Sequence, residues 1–220
     1  MSQVEQPLII ESLVVGPFQT NVYVVGCSTT REAAIIDAGG NASGLLGLAK
    51  KHALDIQKIL QTHAHIDHVA ALAEIKSETR APIYLHPDEE RMYEAAPMQG
   101  RMFGFQISPL PPVDIWVEEG ETIDIGELRA KVLLLPGHSP GSIAFYFEDQ
   151  AVIFSGDVLF AGSIGRTDLP GGDVPAIKAS LERLKTLPPA TRVLSGHGPA
   201  TTIEQELKFN PFLRGFKLAR

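Results

Sequence analysis

Cysteine is almost absent from this sequence. The 220 residues contain one cysteine, Cys27, so no disulfide can form within the chain. Such cysteine usage is typical of a reducing compartment, and we expect the protein to be cytoplasmic. The same scarcity excludes metal sites built from clustered thiolates. Because the chain has seven histidines, any bound metal is expected to have nitrogen and oxygen ligands.

Long apolar runs and excess positive charge are also missing. No run approaches the roughly 18 apolar residues that a membrane-spanning helix requires. Residues 1–7 do not resemble a secretory signal, because they contain Glu5 and no basic residue. Acidic residues outnumber Lys and Arg by 26 to 19, for a formal net charge of −7. This balance argues against nucleic-acid and membrane partners and leaves a small molecule as the expected ligand, with the oligomeric state open.

The pattern of apolar runs and turn residues predicts an α/β chain that forms one domain over residues 1–220. Because the strands are many and short, stacked sheets are favoured over one doubly wound sheet. Residues 97–112 predict a long loop with exposed apolar side chains. Residues 203–220 predict a short helical tail, within which Asn210 caps a helix. Strands are predicted at 8–15, 22–27, 33–37, 56–61, 83–85, 122–125, 128–135, 142–147, 151–155 and 192–195, and helices at 41–53, 68–79, from 87 and from 173.

The central motif is Thr-His-Ala-His-Ile-Asp-His at residues 62–68, directly after a predicted strand. His63 and His65 are two residues apart, so in extended backbone their side chains point the same way. Asp67 and His68 follow where the chain turns into a helix, and they can face the same cavity from another side. Four residues of metal-ligand type in six positions can serve two metal ions. The sequence therefore predicts a metal site at the carboxyl end of this strand.

Three further residues of ligand type occur in a similar context downstream. His138, Asp157 and His197 each follow an apolar strand, and each is preceded by glycine. Glycine lets the backbone turn sharply and leaves room for a metal and a substrate. Scattered surface histidines are the alternative for any single position. Because five of the seven histidines fall at strand ends, we expect one shared site.

Three other residues of ligand type are expected outside the metal site. His52 is predicted on a helix surface, and His86 is predicted to cap the helix that Pro87 opens. Asp37 ends a predicted strand. It is expected to organise the turn or to support the ligands rather than to bind metal.

The His-x-His-x-Asp-His motif at 63–68, with the three downstream residues in this order, resembles the metallo-β-lactamase superfamily. Segments 155–160, 165–166 and 210–214 are most similar to the glyoxalase II (hydroxyacylglutathione hydrolase) group. The resemblance implies an αββα four-layer sandwich with two divalent metal ions, zinc being expected and iron or manganese the alternatives. It implies that His63, His65 and His138 hold one metal, that Asp67, His68 and His197 hold the other, and that Asp157 bridges them.

The chain departs from the glyoxalase II group at its carboxyl end. Only 23 residues follow His197, too few for the helical domain that helps bind glutathione in that group. The chain is more similar to compact, single-domain relatives. Arg166, beside the Asp157 loop, and Asn210 and Arg214 in the tail are the expected contacts for an anionic substrate. A packing helix with a solvated basic face is the alternative for the tail.

The residues and the resemblance favour hydrolysis of a thioester such as S-lactoylglutathione by a metal-bridging hydroxide. Asp67 and Asp157 are the expected catalytic residues. A thiol with a pKa of about 8.5 leaves without a strong general acid, which favours thioesters over β-lactams. One alternative is a persulfide dioxygenase, in which a single iron is held by His63, His138 and Asp157. Hydrolysis of another ester or lactone and a non-catalytic metal-binding scaffold are further alternatives.

Overall fold

Two six-stranded sheets lie face to face between helices in the computed structural model, which describes residues 8–104 and 107–215. The first sheet has the order β1-β2-β3-β4-β5-β6: Leu8–Val15, Thr20–Cys27, Glu32–Ile36, Asp55–Leu60, Ile83–Leu85 and Ile115–Trp116. The second contains β7 Thr122–Ile125, β8 Leu128–Leu134, β9 Ile143–Phe147, β10 Val152–Gly156, β13 Arg192–Ser195 and β14 Thr201–Thr202, in the order β14-β13-β10-β9-β8-β7. Strands β11 Leu159–Phe160 and β12 Ser163–Ile164 form a small hairpin.

Six α-helices cover the outer faces of the two sheets. They are α1 Ala42–Lys51, α2 Ile66–Val69, α3 Leu72–Thr79, α4 Glu90–Met102, α5 Val174–Leu184 and α6 Ile203–Phe209. Two short 3₁₀ turns occur at Pro87–Glu89 and Glu148–Gln150. The predicted caps of two helices are confirmed, because the side chain of Asn41 accepts from Gly44 N and that of Asp173 from Ala176 N.

The period-two alternation of the central strands builds three apolar layers. In β2, Val24 faces the layer shared with α1 and α3, whereas Val25 faces the layer between the sheets. In β9, Phe145 faces the layer between the sheets, and Tyr146 faces the layer under α5. Strands buried on both faces require helices on the outer side of each sheet. The predicted αββα sandwich is thereby confirmed.

The helix predicted over 68–79 is two helices in the structure. The chain leaves helical geometry between α2 and α3, where Ala71 N donates to Ala38 O at 2.8 Å. This long-range bond ties the break to the turn after β3. Residues 66–69 therefore form a separate short helix that carries Asp67 and His68.

The prediction of a loop over 97–112 is wrong for residues 97–102, which belong to α4. Pro97 removes one backbone hydrogen bond from the interior of this helix. Tyr93, Ala96 and Gly100 lie at helical spacing and are buried, and this packing holds the helix together across the proline. Phe105 and Gln106, which belong to the same predicted loop, lie outside the described residues.

The helical tail predicted over 203–220 is helical only at Ile203–Phe209 within the described part of the chain. Asn210 ends this helix in extended geometry instead of beginning another. Its place before Pro211 explains the conformation, because a residue before proline is pushed out of the helical region. Residues 211–215 form turns, and 216–220 lie outside the described residues.

Membrane-spanning length is not reached by any helix within residues 8–104 and 107–215: none is both long and apolar enough to cross a bilayer.

Candidate metal centre

All seven predicted ligands lie just beyond the carboxyl ends of strands, at one edge of the sandwich. The segment 62–68 follows β4 of the first sheet. His138, Asp157 and His197 follow β8, β10 and β13 of the second sheet. Strand β10 is parallel to β13, and both β8 and β10 are antiparallel to β9. The carboxyl ends of these three strands therefore meet, which is the arrangement that brings the ligands of both sheets together.

The structure assembles the predicted ligands into overlapping groups of three. Within each group, one ligand atom from every residue lies within 4.8 Å of the others. In the first group, His65 Nδ1 and His138 Nε2 are 2.8 Å apart. In another, His197 Nε2 is 3.2 Å from Asp67 Oδ2. The groups are His63, His65 and His138; Asp67, His68 and His197; and His63, His68 and Asp157.

Asp157 lies between the two predicted ligand sets. Its Oδ1 is 3.4 Å from His68 Nε2, and its Oδ2 is 3.3 Å from His197 Nε2. The same Oδ2 is 3.5 Å from Nε2 of His138, which belongs to the other set. One carboxylate can therefore reach ligands of both sets, the placement that a bridging ligand requires.

Buried polar atoms without hydrogen-bond partners show that metal ions fit this cluster. Within the described residues, His63 Nε2, His68 Nε2 and Asp157 Oδ1 are buried and accept or donate no hydrogen bond. Such atoms are rare in folded proteins because leaving them unpaired is costly. The three atoms belong to residues of one possible metal group. Divalent cations such as zinc or iron would satisfy all three, and imidazole and carboxylate are suitable ligands for both.

Glycine is required where the loop after β13 passes the ligands. A Cβ atom on Gly196 would lie 2.1 Å from Asp157 Oδ1 and 2.7 Å from His68 Cε1. No side chain fits there without displacing a ligand. The glycine that precedes His197 in the sequence therefore creates space for the cluster.

Hydrogen bonds to the outer ring nitrogens orient three of the histidines. His68 Nδ1 is 2.9 Å from Asp37 Oδ2. His138 Nδ1 is 2.8 Å from the carbonyl oxygen of Arg166, and His197 Nδ1 is 3.0 Å from that of Phe18. In each case the outer nitrogen donates, and the Nε2 lone pair is left facing the cluster. This is the usual arrangement of metal-binding histidines.

Asp37 supports the ligands from below, as predicted for a residue that does not itself bind metal. Its carboxylate also accepts hydrogen bonds from the backbone N and the hydroxyl of Thr62, the N at 2.8 Å. Asp37 itself has a left-handed backbone with φ of 59°. The other two histidines lie apart from the cluster. His86 caps the 3₁₀ turn, and His52 contacts Glu11 at the end of α1.

Burial and charge divide the histidines into two electrostatic classes. Burial, together with the neighbouring histidines, holds the pKa of His63 well below its usual value and lowers the pKa of His65 to about 3. These two rings are neutral and available as ligands. Burial also disfavours charge on His68 and His197, but the carboxylates of Asp67 and Asp157 outweigh it. They raise the pKa of His68 well above its usual value and that of His197 to about 10.

The carboxylates stay ionised in this surrounding. Burial alone would raise the pKa of Asp157, but charged His68 and the hydrogen bonds from His197 and His68 hold it well below its usual value. The pKa of Asp67 is lowered in the same way against the effect of burial, chiefly by His68. Ionised carboxylates and neutral imidazoles are the ligand forms that divalent metals need.

Two supporting residues carry no signal in the sequence pattern. Glu89 is fully buried; its Oε2 accepts from Ala64 N at 2.8 Å and its Oε1 from Gly141 N at 2.7 Å. It thereby joins the loop of His63 and His65 to the loop that follows His138. Thr20 donates to Asp67 Oδ2 at 2.8 Å. Both contacts are long-range, and Glu89 differs in no local way from its acidic neighbours in the sequence.

The predicted substrate contacts have different placements. Arg166 has an exposed side chain that pairs with Asp168 through two hydrogen bonds of 2.7 and 2.8 Å. Arg214 is exposed in the turns after α6. Asn210 is completely buried, donates to Ser163 O and to Glu206 Oε2, and accepts from Phe212 N. A substrate-binding role for Asn210 is therefore corrected to a structural one, since its polar atoms are used within the protein.

Comparison with known proteins identifies the family. Residues 15–197 match the sequence model of the metallo-beta-lactamase superfamily, and this span contains all seven predicted ligands. The chain belongs to the metallo-β-lactamase superfamily. The family resemblance of the His-x-His-x-Asp-His motif is thereby confirmed.

Several superfamily members are similar over almost their whole length. A probable metallo-hydrolase, YqgX of Bacillus subtilis, is 41% identical over 207 residues, covering 93% of this chain and 97% of the relative. The hydroxyacylglutathione hydrolase GloC of Haemophilus influenzae is 37% identical over 213 residues, covering 93% of this chain and 97% of the relative.

Solved structures of superfamily members agree with the fold. The crystal structure of TTHA1623 in a di-iron-bound form is 46% identical with a TM-score of 0.85, covering 92% of this chain and all of that chain. The crystal structure of the BLEG-1 B3 metallo-beta-lactamase is 42% identical with a TM-score of 0.87, covering 94% of this chain and 100% of that chain. Similar chains therefore carry different printed activities, and substrate has to be argued from this chain's own site.

Proposed function

We propose that this protein is a dinuclear metallohydrolase that cleaves an anionic thioester such as S-lactoylglutathione. In the net reaction, the carbonyl carbon gains a bond to a water oxygen, the carbon–sulfur bond breaks, and the thiolate takes up a proton. The single observation that carries the proposal is the position of Asp157 between two complete sets of three ligands. A scaffold without turnover would not need both sets.

In this proposal, His63, His65 and His138 hold one ion, and Asp67, His68 and His197 hold the other. Two divalent ions so held, zinc in the first instance, would lower the pKa of a bound water and polarise the substrate carbonyl. The di-iron form of TTHA1623 makes iron the leading alternative metal. Asp157 keeps both ligand sets in register, and Asp37 fixes the ring of His68. Thr20 holds one oxygen of Asp67 in place.

The GloC relative supports a glutathione thioester as the substrate class. The carboxyl-terminal helical domain expected of the glyoxalase II group is missing from this chain, which raises the question of glutathione recognition. GloC, a hydroxyacylglutathione hydrolase, matches this chain over 97% of its own length. It therefore also lacks a large additional domain. The lone Cys27, buried in β2, supports placing the reaction in the reducing cytoplasm.

A persulfide dioxygenase is the second candidate function. His63, His138 and Asp157 include two histidines and one carboxylate, the set that non-haem iron enzymes use. The di-iron neighbour shows that a similar chain takes up iron. Asp67, His68 and His197 would then have no metal to hold. Hydrolysis of another ester or of a lactone would use the same two ligand sets as the thioester reaction.

Two assays on the purified protein, with its metal content measured, distinguish these functions. Hydrolysis of S-lactoylglutathione with about two metal ions per chain is the expected result. Oxygen uptake with glutathione persulfide and about one iron per chain would overturn the proposal in favour of the dioxygenase. Full metal occupancy without either activity would also overturn it and would direct the search to other esters and lactones.

A further inference from the structure

A groove of about 430 Å³ opens beside Asp67. The turn between β1 and β2 forms one wall with Val15, Pro17 and Phe18, and the region of α2 forms the other with Ile66 and Ala70. The lining includes the metal-ligand candidate Asp67 but neither His138 nor Arg166. The groove is therefore continuous with one end of the metal centre, and its volume is within the range of small-molecule sites.

The groove is apolar and acidic. None of the described residues that line it is Lys, Arg or His, and its two charged members are Asp67 and Glu74. A carboxylate of a ligand would meet two negative charges here and no positive one. Such a surface disfavours anionic groups and favours neutral apolar ones.

The other end of the metal centre has a different character. His138 Nδ1 contacts the carbonyl oxygen of Arg166, so this arginine adjoins the other ligand set. Its guanidinium is exposed, although Asp168 shares its charge. A substrate with an anionic end and a neutral end therefore has one favoured orientation across the two ligand sets.

We propose that the groove beside Asp67 binds the acyl group of the thioester and selects neutral, apolar acyl groups over anionic ones. This inference rests on the proposed thioester hydrolysis, and it assigns the anionic thiol portion to the Arg166 end. The assignment follows from charge, because the carboxylates of a glutathione moiety would be repelled from the groove.

The test measures kcat/KM of the metal-loaded protein for the acetyl, butyryl, hexanoyl and succinyl thioesters of glutathione. We expect up to about a fourfold increase for each methylene that the groove buries. The succinyl thioester is expected to react at least about tenfold less efficiently than the butyryl thioester, since its carboxylate faces the acidic lining. Equal values for acetyl, butyryl and hexanoyl would overturn the proposal.

A matched pair of charge reversals tests the acidic lining. Glu74 and Glu78 are both exposed on α3, but only Glu74 lines the groove. Glu74→Lys is expected to raise the succinyl-to-butyryl ratio of kcat/KM severalfold. Glu78→Lys changes the net charge equally and is expected to leave that ratio unchanged. Equal changes in the two variants would show a long-range charge effect and would contradict binding in the groove.

A binding measurement separates failure of this inference from failure of the proposed function. Acetate, butyrate and hexanoate are titrated into the metal-loaded protein in a calorimeter, and affinity is expected to rise with chain length. Ala70→Phe, which fills the groove, is expected to abolish that rise. This result without thioester hydrolysis would refute the proposed function and retain the groove's selectivity. Hydrolysis with chain-length-independent affinity and kcat/KM would refute the groove and retain the function.

Discussion

At the residue scale, the centre depends on one shared carboxylate. Asp157 contacts the imidazoles of His68, His138 and His197, which come from both ligand sets. Removing it would leave those rings facing one another without a negative charge between them. Five histidines and Asp67 alone cannot balance two divalent cations as well, because imidazole supplies no charge.

Asp157→Ala is therefore expected to abolish activity and to reduce the bound metal to one ion per chain or less. The measurements are turnover of S-lactoylglutathione and metal analysis after dialysis. Asp124→Ala, which removes an exposed carboxylate on β7, is the control and is expected to leave both unchanged. A fully active Asp157→Ala protein would refute the assignment of this site.

A second residue-scale prediction concerns the space beside the ligands. Gly196→Ala is expected to prevent occupation of both metal positions, because the new Cβ would overlap Asp157 Oδ1. Gly47→Ala is the control, since Gly47 lies in α1 and its Cβ would meet nothing within 4 Å. Gly47→Ala is expected to keep full metal content and to gain up to about 1 kcal/mol of stability. Metal analysis and thermal unfolding of the two variants give the comparison, and normal metal content in Gly196→Ala would contradict it.

At the element scale, Glu89 joins the two loops that carry the first ligand set. Its two carboxylate oxygens accept from Ala64 N and Gly141 N, which are 77 residues apart in the sequence. The join is close as well, because a Cβ on Gly141 would lie 2.9 Å from Glu89 Cγ. The 3₁₀ turn before α4 thus spaces His63 and His65 from His138.

Glu89→Gln is expected to weaken this spacing, because a glutamine amide would point an N–H group at one of the two backbone donors. An unpaired buried donor costs about 1–3 kcal/mol, and changes of this kind around a metal site typically lower metal affinity about 10–100-fold. Chelator competition and denaturant unfolding measure the two effects. Glu90→Gln, which alters the next, exposed residue, is expected to change neither; equal effects of the two variants would remove the role given to Glu89.

The elements also show which parts of the site the sequence could predict. Strand ends followed by glycine and a ligand-type residue are local patterns, so His138, Asp157 and His197 could be found before their contacts were known. Glu89 and Thr20 act through partners at least 25 residues away, and no local pattern encodes such pairs. Asn210 shows the reverse: its local pattern suits a helix cap, but Pro211 and the buried carboxylate of Glu206 determine its place.

At the scale of the whole molecule, the metal centre connects the two sheets. The first sheet supplies His63, His65, Asp67 and His68, and the second supplies His138, Asp157 and His197. Metal ions bound here would oppose separation of the sheets, since each ligand set contains residues from both. That all 220 residues form one domain stays a prediction.

Metal removal is accordingly expected to lower thermal stability. Free metal at about 100 times its dissociation constant stabilises a folded protein by about 2.7 kcal/mol, which corresponds to a fall in Tm of roughly 5–10 °C on removal for a chain of this size. Calorimetry with and without chelator tests this, and readdition of zinc should restore the original Tm. An unchanged Tm would show that the sheets hold together without help from the ions.

The order of the ligands along the chain has a consequence for biosynthesis. The group of Asp67, His68 and His197 spans 130 positions, and its last member comes only 23 residues before the end of the sequence. A nascent chain therefore cannot complete this group until nearly all of the sandwich has been translated. An incomplete product that stops before β13 would be released without a finished centre, so premature termination yields inert polypeptide and not a partly active hydrolase.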